Sequence, residues 1–143
     1  MKQNLVTVCY PIRPIYSEKI MKGEKKYELR KRLPNSEIDY ILIYSTTPIA
    51  KIVGYAEVKT THIKSVQDMW KMVSNCAGIS KEDYMDYFHG KENACAIELE
   101  NVWRFKKPFD VKEINENFTV PQSFCYVSTE DFKKLKRRKV EHV

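Results

Sequence analysis

Gly23-Glu24-Lys25-Lys26-Tyr27-Glu28-Leu29-Arg30-Lys31-Arg32 is the stretch on which the reading of this chain turns. Tyr27 and Leu29 alternate with Lys26, Glu28 and Arg30, a period of two that spells a strand over Lys25–Arg32. Glu28, Arg30 and Arg32 then share one face with Lys26, and Lys25 points the other way unless the chain bends where the strand starts. Ile15 to Lys22, just upstream, reads as a short helix stopped by Gly23, a residue suited to a C-terminal cap. Two readings of the charged face stand side by side. One is a solvated edge strand whose Lys and Glu side chains block association. The other is the wall of a mixed-charge cleft, with Lys25 and Arg30 meeting a phosphate or a polarised carbonyl. Glu28 would then orient those bases or accept from a nucleobase amine.

Working outward, Leu5 to Tyr10 reads as a strand ended by Pro11 and Pro14, and Leu33-Pro34-Asn35-Ser36 as a turn. Tyr40 to Tyr44 is a near-continuous apolar run, as in a strand buried on both faces. Ile52 to Thr60 is another strand, with a bulge at Gly54. Ser65 caps a helix carrying Val66, Met69, Trp70 and Val73, and Ser80 caps a second with Glu82 and Asp83 in its first turn. Tyr84, Tyr87 and Phe88 read as the packing stripe of that second helix. Ala94–Phe105 and Ser123–Val127 return to strand, and Ser128 or Thr129 starts a terminal helix. Strands dominate and helices enter at two places. That order predicts an α+β fold, a small mixed β-barrel with inserted and flanking helices over residues 1–128, followed by a basic helix or tail over 129–143.

At 143 residues the chain is one domain's worth of sequence. No apolar run approaches the roughly 20 residues of a membrane span, and the residues before Pro11 form no secretory core, so a cytoplasmic protein without a membrane partner is expected. The net charge of +6 equals the contribution of Lys133, Lys134, Lys136, Arg137, Arg138 and Lys139, so the remainder is neutral but polarised. Lys19–Arg32 carries +5 and Ser80–Glu100 carries −4. Cys9, Cys76, Cys95 and Cys125 show no close pairing, and no metal site or cofactor is expected. Ser45, with Thr46 and Thr47, ends a buried strand, either as a ligand contact or as a turn former. Trp103-Arg104-Phe105 offers rings and a cation, although alternation sends both rings to one face and favours packing.

The motif Gly23-Glu24-Lys25-Lys26-Tyr27-Glu28-Leu29-Arg30 resembles G-x-K-x-x-E-x-R, the signature of ASCH domains in the PUA-like superfamily. The resemblance extends through Pro14–Met21, Ile43-Tyr44-Ser45, Val53-Gly54 and Pro121-Gln122-Ser123-Phe124, and so covers roughly residues 4–127. It implies a PUA-like barrel with a cleft beside the motif, lined by Lys25, Glu28 and Arg30. Arg32, on the same strand face, and Ser45, at a strand end, are read from the residues themselves as further ligand contacts. The resemblance also implies RNA or a nucleotide as the partner, with regulation of transcription or translation as a further implication. The basic residues 133–139 would add salt-sensitive, sequence-independent affinity. Some small ASCH proteins are instead amidohydrolases acting on N4-acylated cytidine, with a motif resembling G-x-K-x-x-T-x-R. Here Glu28 occupies the Thr position, and acyl transfer to a carboxylate would give an anhydride, so that alternative needs Lys25 and Glu28 to activate water.

Overall fold

The computed structural model describes residues 5–143; the expected start of the domain at residues 1–4 lies outside them. The elements run β1 (Thr7–Ile12), α1 (Pro14–Met21), β2 (Tyr27–Arg30), β3 (Tyr40–Ser45), β4 (Lys51–Ser65), α2 (Val66–Val73), α3 (Lys81–Tyr87), β5 (Asn93–Phe109), β6 (Cys125–Val127), α4 (Thr129–Leu135) and β7 (Val140–His142). One mixed sheet holds the strands in the order β2-β5-β4-β3-β1-β6, and β7 also pairs with β5. Among the described strands only β1 and β3 are parallel. The α+β class stands. The expected barrel is not established, because β2 and β6 are the two ends of the sheet and no strand pairing among the described residues joins them.

Local signals account for most starts and stops. Ser65, Ser80 and Ser128 each accept from the backbone N–H three residues on, at 3.1 Å, satisfying a donor that the first helical turn leaves free. Gly23 takes φ +77° after α1. Its N–H goes to the Ile20 carbonyl, and that of Glu24 to the Lys19 carbonyl, a Schellman ending that turns the chain sharply toward β2. A bulge sits at Val53-Gly54, where Ile43 faces Gly54 and Tyr44 faces Ile52.

Several elements depart from the sequence expectation. β1 runs through Pro11 to Ile12, because pairing with β6 has ended at Cys9 and the missing amide leaves no gap in a ladder. β4 and β5 extend well past Thr60 and Phe105, since each supplies the other's partner as far as Ser65↔Asn93 and Ile52↔Phe109. Polar residues such as Thr61 and Lys64 are carried into strand by that pairing, which no local pattern reports. Finally, residues 129–143 do not stand apart. Phe132 and Leu135 are buried in the same apolar cluster as Tyr55 and Phe105, and β7 pairs with the outer stretch of β5.

A second cluster decides where the site forms. Met69 and Val73 of α2, and Tyr84 with Phe88 at the end of α3, pack on Leu29 of β2 and on Ala94 and Ala96 of β5. The helical insertion therefore lies against β2, and the neighbouring face of α3 looks onto the charged side chains of that strand.

Candidate functional site

The chain leaves Gly23 in a loop and enters strand only at Tyr27, so the bend that would turn Lys25 toward Glu28 is present. The Lys25 N–H bonds the Lys19 carbonyl at 3.2 Å, and the Lys26 N–H bonds that of Cys76 at 2.7 Å. These bonds hold the loop under the segment that joins α2 to α3. Lys25 is only 3% exposed. Its ammonium donates to the Ala77 carbonyl and lies 5.4 Å from the centre of the Tyr16 ring. Gly78 permits this seat, because a Cβ there would come within 2.9 Å of the Lys25 Cβ. Burial lowers the Lys25 pKa from its ordinary value; Glu28 opposes that shift, and Lys19 and Arg30 add to it.

Glu28 and Arg30 face the same space from β2. Glu28 Oε2 accepts from Arg30 Nε at 2.9 Å and lies 2.8 Å from its Nη2. Arg30 Nη2 also donates to the Pro11 carbonyl of β1 at 2.9 Å, and its guanidinium sits 4.5 Å over the Tyr10 ring. Arg30 thus bridges β2 to β1 where the sheet has no backbone pairing. A cavity of about 510 Å³ lies at this seam. Lys25, Glu28, Leu29 and Arg30 form one wall, Pro11, Ile12 and Arg13 with Ile15 and Tyr16 a second, and Ile79, Asp83, Asp86 and Tyr87 the third.

The lining holds three cations (Arg13, Lys25, Arg30) and three carboxylates (Glu28, Asp83, Asp86), with two tyrosine rings. Such a balance suits a guest with donors and acceptors of its own as well as an anionic group. A site built for phosphate alone would not carry two aspartates on its rim. Among the described residues no group of three His, Cys, Asp or Glu side chains is arranged to hold a metal ion.

The ASCH domain pattern matches residues 11–109, more than half of the chain and the whole of this cavity's lining. This chain belongs to the ASCH domain family. The match is narrower than the 4–127 read from sequence, but similarity to known proteins extends further. An ASCH domain-containing ribonuclease of Zymomonas mobilis is 32% identical over 126 residues, covering 85% of this chain and 84% of that protein. The crystal structure of ASCH from Zymomonas mobilis superposes over 92% of this chain and 94% of its own, with a TM-score of 0.84 at 30% identity. The N-terminal domain of Staphylothermus marinus McrB shares the fold, at TM-score 0.61 and 11% identity.

Within this ASCH domain the structure brings Lys25, Glu28 and Arg30 together and leaves the other expected residues elsewhere. Arg32 follows the end of β2, is exposed, and lines a neighbouring cleft. Ser45 is buried, with its Oγ 2.8 Å from Ser17 Oγ, and ties β3 to α1 outside the cavity lining. The basic residues after Phe132 also lie outside it. Lys136 covers the Tyr40 and Phe132 rings, Arg138 pairs with Glu113 at 2.9 Å over Phe109, and Lys133, Lys134, Arg137 and Lys139 are exposed. Of the two rings flanking Arg104, Phe105 is core and Trp103 stacks on Tyr55 at 5.1 Å.

Sequence reasoning missed the third wall. Tyr87 was expected to pack with Tyr84 and Phe88, but it is partly exposed and lines the cavity with Asp83 and Asp86. Their i, i+3, i+4 spacing marks a second face of α3, adjacent to the Tyr84–Phe88 face, and was the signal available. Only packing shows that this second face meets β2.

Proposed function

We propose that this ASCH domain binds single-stranded RNA by admitting one unstacked nucleotide to the cavity, and that it cleaves the phosphodiester there. The observation that carries the reading is the convergence of a buried lysine, a carboxylate and a guanidinium on one cavity that also offers tyrosine rings and further carboxylates. The ribonuclease name of the Zymomonas relative supports cleavage over binding alone. Lys25 and Arg13 meet the phosphate, and Asp83 and Asp86 accept from base amines, as carboxylates do from cytosine N4. Glu28, held by Arg30 through Oε2, takes the proton of the ribose 2′-hydroxyl. The 2′-oxygen attacks the adjacent phosphorus, and the P–O5′ bond breaks. Lys25, made a readier acid by its burial, gives its proton to the departing 5′-oxygen. The products are a 2′,3′-cyclic phosphate and a 5′-hydroxyl.

The charge balance of the lining favours one second reading, hydrolysis of an N4-acylated cytidine by water activated between Lys25 and Glu28. A role in regulating transcription or translation, in the cytoplasm, is part of the same proposal. No helix among the described residues is long and apolar enough to cross a membrane. Exposed Lys133, Lys134, Arg137 and Lys139 add nonspecific attraction to RNA.

The test is incubation of 5′-labelled single-stranded RNA, and separately of N4-acetylcytidine, with wild-type protein and Lys25→Met. RNA fragments ending in cyclic phosphate, lost in the variant, are expected. Deacylation without RNA cleavage would establish the second reading, and equal RNA cleavage by Lys25→Met would refute the assignment.

A further inference from the structure

A second cleft of about 620 Å³ lies beside the cavity and shares Arg30 and Tyr87 with it. Its chemistry is different. Arg30 (paired with Glu28), Lys31 and Arg32 supply three cations, Tyr87, Phe124 and Tyr126 supply rings, and among the described residues no carboxylate lines it. The rings are braced from below. Tyr126 meets Phe124 edge-on at 5.9 Å, Phe124 rests 5.9 Å from Tyr10, and Tyr10 carries the Arg30 guanidinium on its face. Lys31 Nζ sits 4.8 Å from the centre of the Tyr87 ring.

Tyr126 is the telling residue. It stands out from β6 between the more buried Cys125 and Val127 and is 50% exposed. A large ring left in water beside the exposed Lys31 and Arg32 contributes little to the core. Backbone-tracking cations interleaved with ring faces are the general means of holding unpaired nucleotides, because every base has a face to stack. The cavity, with its balanced charges, is suited to one base; the cleft, whose cations and rings are joined by the neutral polar groups of Asn35 and Ser123, is suited to the strand that continues from it.

We infer that this cleft is a second subsite, holding the nucleotide next to the one in the cavity. The guest is therefore a single-stranded RNA of two or more nucleotides rather than a free nucleoside. The inference rests on the reading of the cavity given above and adds Lys31, Arg32, Phe124 and Tyr126 to it.

Binding of 2′-fluoro hexanucleotides (A6, C6 and U6, which lack the attacking hydroxyl) and competition by AMP, CMP and UMP test it. Tyr126→Ala and Arg32→Ala each weaken hexanucleotide binding about tenfold, equivalent to about 1.4 kcal/mol. Tyr126→Phe keeps the stacking face and stays within twofold of wild type. Mononucleotide competition stays within twofold in all three variants, whereas Lys25→Met weakens both kinds of probe. Tyr126 and Arg32 are exposed, so melting temperatures of their variants should match wild type and exclude misfolding. Hexanucleotide affinity unchanged in Tyr126→Ala and Arg32→Ala but lost in Lys25→Met overturns the second subsite and leaves the cavity reading intact. Loss in Tyr126→Ala with none in Lys25→Met overturns the cavity reading and the adjacency inferred from it.

Discussion

Replacing Glu28 with threonine perturbs the pair that holds the seam of the sheet. The side chains of Glu28 and Arg30 are 7% and 17% exposed, and Arg30 Nε and Nη2 both reach Glu28 Oε2. Removing one partner of a buried pair costs about 3–5 kcal/mol, because the other charge is left desolvated. Arg30 keeps the Pro11 carbonyl, the Tyr10 ring and some contact with the open cavity, which places the expected loss near the lower end, about 3 kcal/mol. Unfolding entropy of about 2.1 cal/mol/K per residue over 143 residues gives about 0.3 kcal/mol/K, so Tm should fall by about 10 °C. Thermal melts of Glu28→Thr, Arg30→Met and the double variant close a cycle, and a coupling of about 2 kcal/mol is expected for directly bonded partners. A drop below about 3 °C, or a coupling under about 0.5 kcal/mol, would refute the argument, since the pair would then be solvated and irrelevant to the cavity's shape. Because the variant also writes the G-x-K-x-x-T-x-R pattern into this chain, the same protein should be assayed on N4-acetylcytidine.

Three further outcomes are expected. Lys25 has its pKa lowered by folding, so the unfolded chain binds more protons between the folded-state value and the ordinary lysine value of about 10.4; its contribution to stability should rise with pH across that window. Cys95 and Tyr10, raised by burial, and Cys9, raised by its hydrogen bond with Cys125 and by burial, slope the other way in both proteins. The rise should therefore be read as the difference between urea titrations of wild type and Lys25→Met, and an identical pH dependence would contradict the buried placement. Gly54→Ala drives a Cβ into the Trp103 carbonyl and to 2.8 Å from Met21, so it should destabilise by about 1–3 kcal/mol in chemical denaturation, as overpacking does. Lys133→Gln, Lys134→Gln and Arg137→Gln together leave the core untouched, and should flatten the salt dependence of RNA binding by about 0.7 log units per log unit of salt for each lost phosphate contact. Truncation before Lys133 would be a poor substitute, since it removes Leu135 from the core and β7 from β5.

Much of this was legible along the chain because the signals are local. A serine just ahead of a helix caps it by accepting from the amide three residues on, and Ser65, Ser80 and Ser128 all do so. Gly23 ends α1, and the alternation through Tyr27–Arg30 places Glu28 and Arg30 on one face, because both depend on neighbouring residues alone. The limits of β4 and β5 were not legible, since their outer residues are strand only through one another. Nor was the fate of the basic tail, whose Phe132 and Leu135 find their partners on distant strands.

The amino-acid order thus determined most of the elements, the motif and the α+β class, all written at separations of a few residues, but not the limits of β4 and β5 or the strand β7. Tertiary structure alone decided that Lys25 is buried, that α3 closes the cavity with Asp83, Asp86 and Tyr87, and that Arg32 and Ser45 leave it. The physical reason is that a pocket is a property of packing: its walls come from β1–α1, β2 and α3, and no periodicity in one segment encodes the distance to another.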